Sequence, residues 1–337
     1  FRFMPFVVAV PLLITLRSWW QSRRNAATIS QPIPTGWRTI ACTPCAVLLF
    51  LFITFVTALP IGWYFFQHPE DFLGRGGQVS VFAAASPIKE FARSNALTLQ
   101  MFFWQGDCNW RHNFACKPEL PPLIAAVFLI GAALALRALF KTYAKAEELT
   151  RGNALTLMAW TGFMTLPATL TAEGLPHALR AIGMIPAVML LAGFGTDRLL
   201  AHTRAWLGRQ SIRFPAQANQ LARIRRELLF LFLAGLSAIA SMTYRDYFVR
   251  WAENKNTYFA FTADLLHQAE YMRDLPPDTL KIIVANVSGT EVRGIPMPSQ
   301  SMMFITDTFR ADARIAKNFR YILPYELAGL DLASAQS

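Results

Sequence analysis

The stretch TIACTPCAVLLFLFITFVTALPIGWYFF, residues 39–66, contains no Asp, Glu, Lys or Arg. A helix rises about 1.5 Å per residue and a hydrocarbon core is about 30 Å thick, so this run is long enough to cross a bilayer. Further apolar runs lie at 3–16, 121–140, 153–170, 181–200 and 227–242. Together they predict an α-helical multi-pass membrane protein with about six spans.

The connecting segments alternate in charge. Those at 17–38, 137–151 and 198–226 carry 15 Lys and Arg, whereas 67–120 and 171–180 carry six, matched by six acids. Basic loops stay cytoplasmic, so 67–120, 171–180 and everything after 243 are expected outside. The same placement accounts for the formal net charge of +11. The excess is a strip facing anionic lipid, with no call for a nucleic acid partner. The chain begins at Phe1 inside an apolar run, so it is expected to be the carboxy-terminal portion of a longer protein.

Two regions follow from this pattern: a transmembrane part, 1–242, with its outer loop at 67–120 and its basic cytoplasmic loop at 198–226, and an extracytoplasmic α/β domain, 243–337. In the outer loop, Ile88, Phe91, Ala92, Leu99, Phe102 and Phe103 alternate with Lys89, Glu90, Arg93 and Gln100, which predicts a helix lying on the outer leaflet over 87–104. In 198–226, Trp206, Leu207, Ile212 and Phe214 among seven arginines predict a surface anchor or simply a topology determinant. In the tail, 244–272 reads as helical, 280–287 and 302–306 as strands, and 311–319 as a helix.

The four cysteines fall into two pairs. Cys42 and Cys45 read as small apolar residues at a helix start. Cys108 and Cys116, in an oxidising compartment, can close a disulfide around the polar cluster between them.

That cluster is Gln105-Gly106-Asp107-Cys108-Asn109-Trp110-Arg111-His112-Asn113, followed by Lys117-Pro118-Glu119 at the entry to a span. Trp110 can stack on a sugar face while Asp107, Asn109, His112 and Asn113 bond hydroxyls, and Arg111 can grip a phosphate by its fork. The alternative is a tight loop that caps the span. In 171–180, His177 and Arg180 stand three residues apart at a predicted helix start, where a lipid phosphate fits; headgroup snorkelling is the alternative. In 68–80, Glu70 and Asp71 read as a helix-start acidic pair, and Arg75 among glycines as a phosphate contact.

The segments FLGRGGQVSVF (72–82), Gly106-Asp107 with NWRHN (109–113), and LPHALRAIGMIP (175–186) resemble bacterial integral-membrane glycosyltransferases of the GT-C class. These include relatives of the dolichyl-phosphate-mannose protein mannosyltransferases and of the aminoarabinose lipid A transferases. The tail from YRDYF (244–248) resembles the outer domain some members carry. The resemblance implies transfer of a sugar from a polyprenyl-phosphate donor to an acceptor (protein, lipid or glycan) at the outer face of the cytoplasmic membrane. It implies single displacement with inversion. The catalytic carboxylate is expected upstream of Phe1, leaving Arg180, His177, Arg111 and Arg75 for the donor phosphate and Asp107, Asn109, Trp110, His112 and Asn113 for the sugar. No cofactor and no metal ligands are assigned, and a divalent metal is compatible with the chemistry. The competing reading is a non-enzymatic transporter or polysaccharide export component. A transporter tends to place ionisable groups at mid-membrane, and these runs hold no acid there.

Overall fold

The computed structural model describes residues 3–26, 43–69, 79–140, 149–286, 291–292 and 295–329. The chain divides into two compact units, Phe1–Ser241 and Met242–Ser337.

The first unit is helical: α1 (Met4–Ala26), α2 (Thr43–Gln67), α3 (Pro87–Phe103), α4 (Pro122–Leu139), α5 (Arg151–Thr169), the short α6 (Ala178–Ala181), α7 (Ile185–Arg213) and α8 (Ala218–Tyr244). Helix starts follow local chemistry. Proline opens α3 and α4, where its missing N–H costs nothing. Thr150 caps α5 by accepting from the Asn153 N–H at 3.2 Å.

Each predicted span coincides with a helix, but among the described residues four helices, not six, are long and apolar enough to cross a membrane. These are Pro44–Gln67, Pro122–Leu139, Ala178–Arg213 and Pro215–Trp251. The runs at 3–16 and 153–170 fall short for identifiable reasons. In α1 the apolar half gives way to Arg17, Ser18 and Gln21. In α5, Thr156, Thr161, Thr165 and Thr169 interrupt the apolar surface, each hydroxyl donating to the carbonyl four residues back. The four apolar helices make this a helical membrane protein.

Packing fixes the directions. Phe6 stacks on Phe163 with centroids 5.3 Å apart. Ile14 comes within 3.3 Å of where a Cβ on Gly152 would sit. Helices α1 and α5 are therefore antiparallel. One core joins Ala125 of α4 with Met164 and Ala168 of α5 and Val188 of α7. A second joins Ala135 and Ala138 with Ala154 and Leu191. Consequently α4 and α7 run parallel, with α5 antiparallel to both. At their contact a Cβ on Gly131 would collide with the Leu191 carbonyl, and one on Gly195 with the Val127 carbonyl. Small residues bring membrane helices to such distances. The surfaces of α2 and α8 are apolar and exposed, as suits helices facing lipid.

The basic segment 198–226 is not a loop: α7 continues to Arg213, a turn at Pro215–Gln217 reverses the chain, and α8 begins at Ala218. Its arginines decorate two helix extensions.

The second unit contains a π-helical turn (Arg245–Trp251), α9 (Lys255–Ala260), α10 (Ala263–Asp274), β1 (Lys281–Val284), β2 (Glu291–Val292), β3 (Ile295–Pro296), α11 (Gln300–Ile305), α12 (Ala311–Ala316) and β4 (Phe319–Ile322). Strand β1 falls within the predicted 280–287. The predicted strand at 302–306 is instead α11. A five-residue apolar run does not distinguish strand from buried helix, and here Met302 and Met303 are buried while the Thr306 hydroxyl donates to the Met302 carbonyl at 2.7 Å. The predicted helix over 311–319 ends at Ala316. Asn318 takes a left-handed φ of 56°, and Phe319 opens β4, which pairs in parallel with β1 from Lys281↔Phe319 to Val284↔Ile322. Lys281 is buried at 2 % exposure, and its ammonium donates to the carbonyls of Pro276, Thr279 and Lys317 at 2.7, 2.9 and 3.1 Å. All three of its protons are thereby satisfied.

Candidate functional site

Residues 79–121 and 169–184 gather at one end of the first unit, opposite Arg137 in the last turn of α4 and Arg151 in the first turn of α5. The Val81 N–H donates to the Leu170 carbonyl at 3.1 Å and the Ala172 N–H to that of Val79 at 2.8 Å. Helix α3 lies across this end. Its Ser94 hydroxyl is 3.1 Å from the carbonyls of Ala168 and Thr171, and Ser94, Thr98 and Met101 are its buried residues. Of the apolar positions predicted to face the bilayer, Ile88, Phe91, Ala92, Leu99 and Phe103 form a different, exposed face, whereas Phe102 is partly buried against the bundle core. Helix α3 thus has a docking face of small polar residues, an apolar face and a charged face.

After α3 the chain folds back. The Glu119 and Leu120 N–H groups donate to the carbonyls of Met101 and Phe102 at 3.0 and 3.2 Å. Within this loop Cys108 and Cys116 are joined by a disulfide, with Cα atoms 4.2 Å apart. Cys45 is disulfide-bonded as well, so it is not the free small residue its sequence setting implies. Gly106 donates to the Cys116 carbonyl at 3.0 Å, and a Cβ there would strike the Lys117 carbonyl. Ala115 and Cys116 take left-handed φ values of 52° and 56°. Each such non-glycine residue costs about 1–2 kcal/mol, and the loop's internal bonds hold them there.

Asp107 organises the site. Its side chain is 4 % exposed. Oδ1 accepts from the Asn109 N–H at 2.8 Å. Oδ2 accepts from the Ala178 N–H at 2.8 Å and lies 2.7 Å from His112 Nδ1. A carboxylate only accepts, so Nδ1 donates and Nε2 is left as the acceptor. Asn113, also buried, donates to the carbonyls of Asp107 and Lys117 at 3.1 and 2.7 Å. The predicted sugar ligands Asp107 and Asn113 are thus built into the loop. Asn109 accepts from the Arg111 N–H at 3.0 Å, and Trp110 meets Phe114 edge-on at 5.7 Å.

On the other segment His177 caps α6, and the N–H that this helix start offers is taken by Asp107, the protein's own anion. The imidazoles of His112 and His177 stack, 4.4 Å between centroids and 21° between planes. His177 Nδ1 is buried and has no hydrogen-bond partner. Burial, with the Arg180 guanidinium and His112 beside it, lowers the His177 pKa from 6.5 to about 4, so this imidazole is neutral at pH 7. Arg180 donates to Thr171 Oγ1 at 2.8 Å and to the Glu173 carbonyl at 2.6 Å, clasping the turn that contains the cis Leu175–Pro176 bond. Arg111 is exposed. Arg75, with Glu70 and Asp71, lies outside the described residues.

The structure adds Glu119, which sequence reasoning placed at the span entry without a role. Burial pushes its carboxyl up from 4.5 to about 7; the Asp107 carboxylate adds to the rise and a hydrogen bond with the Asp107 backbone opposes it. Its Oε1 is buried without a partner. The available signal was its place between a cationic residue and two prolines at a membrane entry. Among the described residues Asp107, His112 and His177 form a group able to hold a metal ion, with one donor atom from each within 4.8 Å of the others.

Comparison with family models, curated proteins and solved structures returns no match.

Proposed function

We propose that this chain acts in transfer of a sugar from a polyprenyl-phosphate donor to an acceptor at the outer face of the cytoplasmic membrane. The observation that carries the reading is the junction of two polar segments, 105–119 and 171–180, at one end of a membrane bundle through the Asp107–Ala178 bond. Such a junction collects Arg180, His177, Arg111 and Trp110 where a lipid headgroup meets water. The exposed apolar face of α3 supports it, since a lipid-linked substrate must be met at the membrane surface. In this reading Arg180 and Arg111 bind the donor phosphate, Asn109, Trp110 and His112 contact the sugar, and Asp107 and Asn113 hold the loop in shape. Glu119, poised near neutrality, is suited to proton transfer.

The test is transfer from a radiolabelled polyprenyl-phosphate sugar by the full-length protein in proteoliposomes. Arg180→Ala removes a charge-assisted contact of about 1.5–3 kcal/mol, so transfer should fall by about one to two orders of magnitude. Arg180→Lys should restore only part, because the fork is lost. Unchanged transfer and donor affinity in Arg180→Ala would remove Arg180 from the site. Solute flux through the wild-type protein without any transfer would favour the transporter reading.

A further inference from the structure

We propose that Asp107, His112 and His177 bind a transition-metal dication of the zinc class at the junction of the two outer segments. Imidazole nitrogen with a carboxylate oxygen is the donor set that zinc, cobalt and nickel prefer over magnesium or calcium. Three protein ligands leave a fourth position open, as at metal sites that take water or a substrate oxygen.

The three donors come from two segments that the fold has already locked together. Asp107 is held by the Asn109 and Ala178 N–H groups, and His177 immediately precedes Ala178. The 2.7 Å contact between His112 Nδ1 and Asp107 sets two donor atoms side by side, and an ion bound there displaces the proton between them to solvent. His177 Nδ1 is buried with no partner, so it gives up no hydrogen bond on turning toward an ion.

A turn is required. A ring nitrogen binds along the plane of its ring, and two imidazoles stacked at 4.4 Å and 21° cannot both aim at one ion. Metal–nitrogen bonds of about 2.0–2.1 Å place tetrahedral ligand atoms about 3.4 Å apart. The donors here lie within 4.8 Å, and loading draws them together. Loading therefore unstacks the histidine pair.

Cobalt(II) is the probe, because a tetrahedral ion with nitrogen and oxygen ligands shows visible d–d absorption. The full-length protein, purified without a polyhistidine tag and stripped with chelator, should take up about one equivalent of Co2+ with that absorption, and zinc should displace it. His177→Phe keeps a ring against His112 and should weaken binding at least tenfold; His112→Phe should do the same. His267→Ala, an exposed histidine of the second unit, should leave binding unchanged. No tetrahedral spectrum in the wild type, or wild-type affinity in either phenylalanine variant, would overturn the proposal. The measurement does not depend on glycosyl transfer.

Discussion

Asp107→Ala should release the segments 105–119 and 171–180 from each other and raise amide exchange over residues 175–182 by about two to three orders of magnitude. The carboxylate accepts from two backbone N–H groups and one imidazole, and alanine leaves all three part-buried donors without this partner. Each orphaned donor costs about 1–3 kcal/mol, and breaking a buried charged arrangement from one side costs about 3–5 kcal/mol. Local opening converts such a cost directly into faster exchange. Asp107→Asn should fall between, since its Oδ1 can still accept while its Nδ2 meets another donor. Hydrogen–deuterium exchange with mass spectrometry reads the effect. Exchange at 175–182 equal to wild type in Asp107→Ala would show that Asp107 does not join the segments.

Gly131→Leu should prevent normal packing of the bundle, whereas Gly193→Leu should be tolerated. Both glycines sit within apolar helices and look alike in sequence. In the structure a Cβ at Gly131 collides with the Leu191 carbonyl, a backbone atom that no rotamer change can move, whereas nothing lies within 4 Å of one at Gly193. Overpacking a close contact costs about 1–3 kcal/mol when side chains can adjust, and forcing two backbones apart costs more because α4 and α7 share their cores with α5. The expected result is a lower thermal midpoint and reduced recovery of monodisperse protein in detergent for Gly131→Leu alone. Equal behaviour of the two variants would contradict the helix contact.

The helices were legible because long uncharged runs allow few alternatives, and charge alone had grouped 67–120 with 171–180, whose described parts meet through the Ala172–Val79 bond, next to that of Val81 with Leu170. What stayed hidden was non-local. The docking face of α3 consists of Ser94, Thr98 and Met101, which no hydrophobic pattern selects, since two of the three are polar and the carbonyls that Ser94 meets lie more than seventy residues away. Asp107 could be seen as part of a polar cluster, but its bond to Ala178 depends on a fold-back of the loop that Gly106 and the Cys108–Cys116 bridge permit. The run at 153–170 looked like a span because an apolar pattern does not report whether the neighbours are lipid or protein. In the second unit β4 was missed since Phe319–Ile322 contains Arg320 and Tyr321 and is stabilised by pairing with β1 rather than by its own pattern.

Transfer at the outer surface requires residues 105–119 and 171–180 to share the outer face of the membrane, opposite the basic turn between α7 and α8. Single cysteines at Trp104 and Ile212, both exposed, report the two ends. In intact spheroplasts a membrane-impermeant maleimide should label Trp104→Cys, while Ile212→Cys should react only after permeabilisation. Labelling of Ile212→Cys from outside, with Trp104→Cys protected until permeabilisation, would place the site on the cytoplasmic face and contradict transfer at the outer surface.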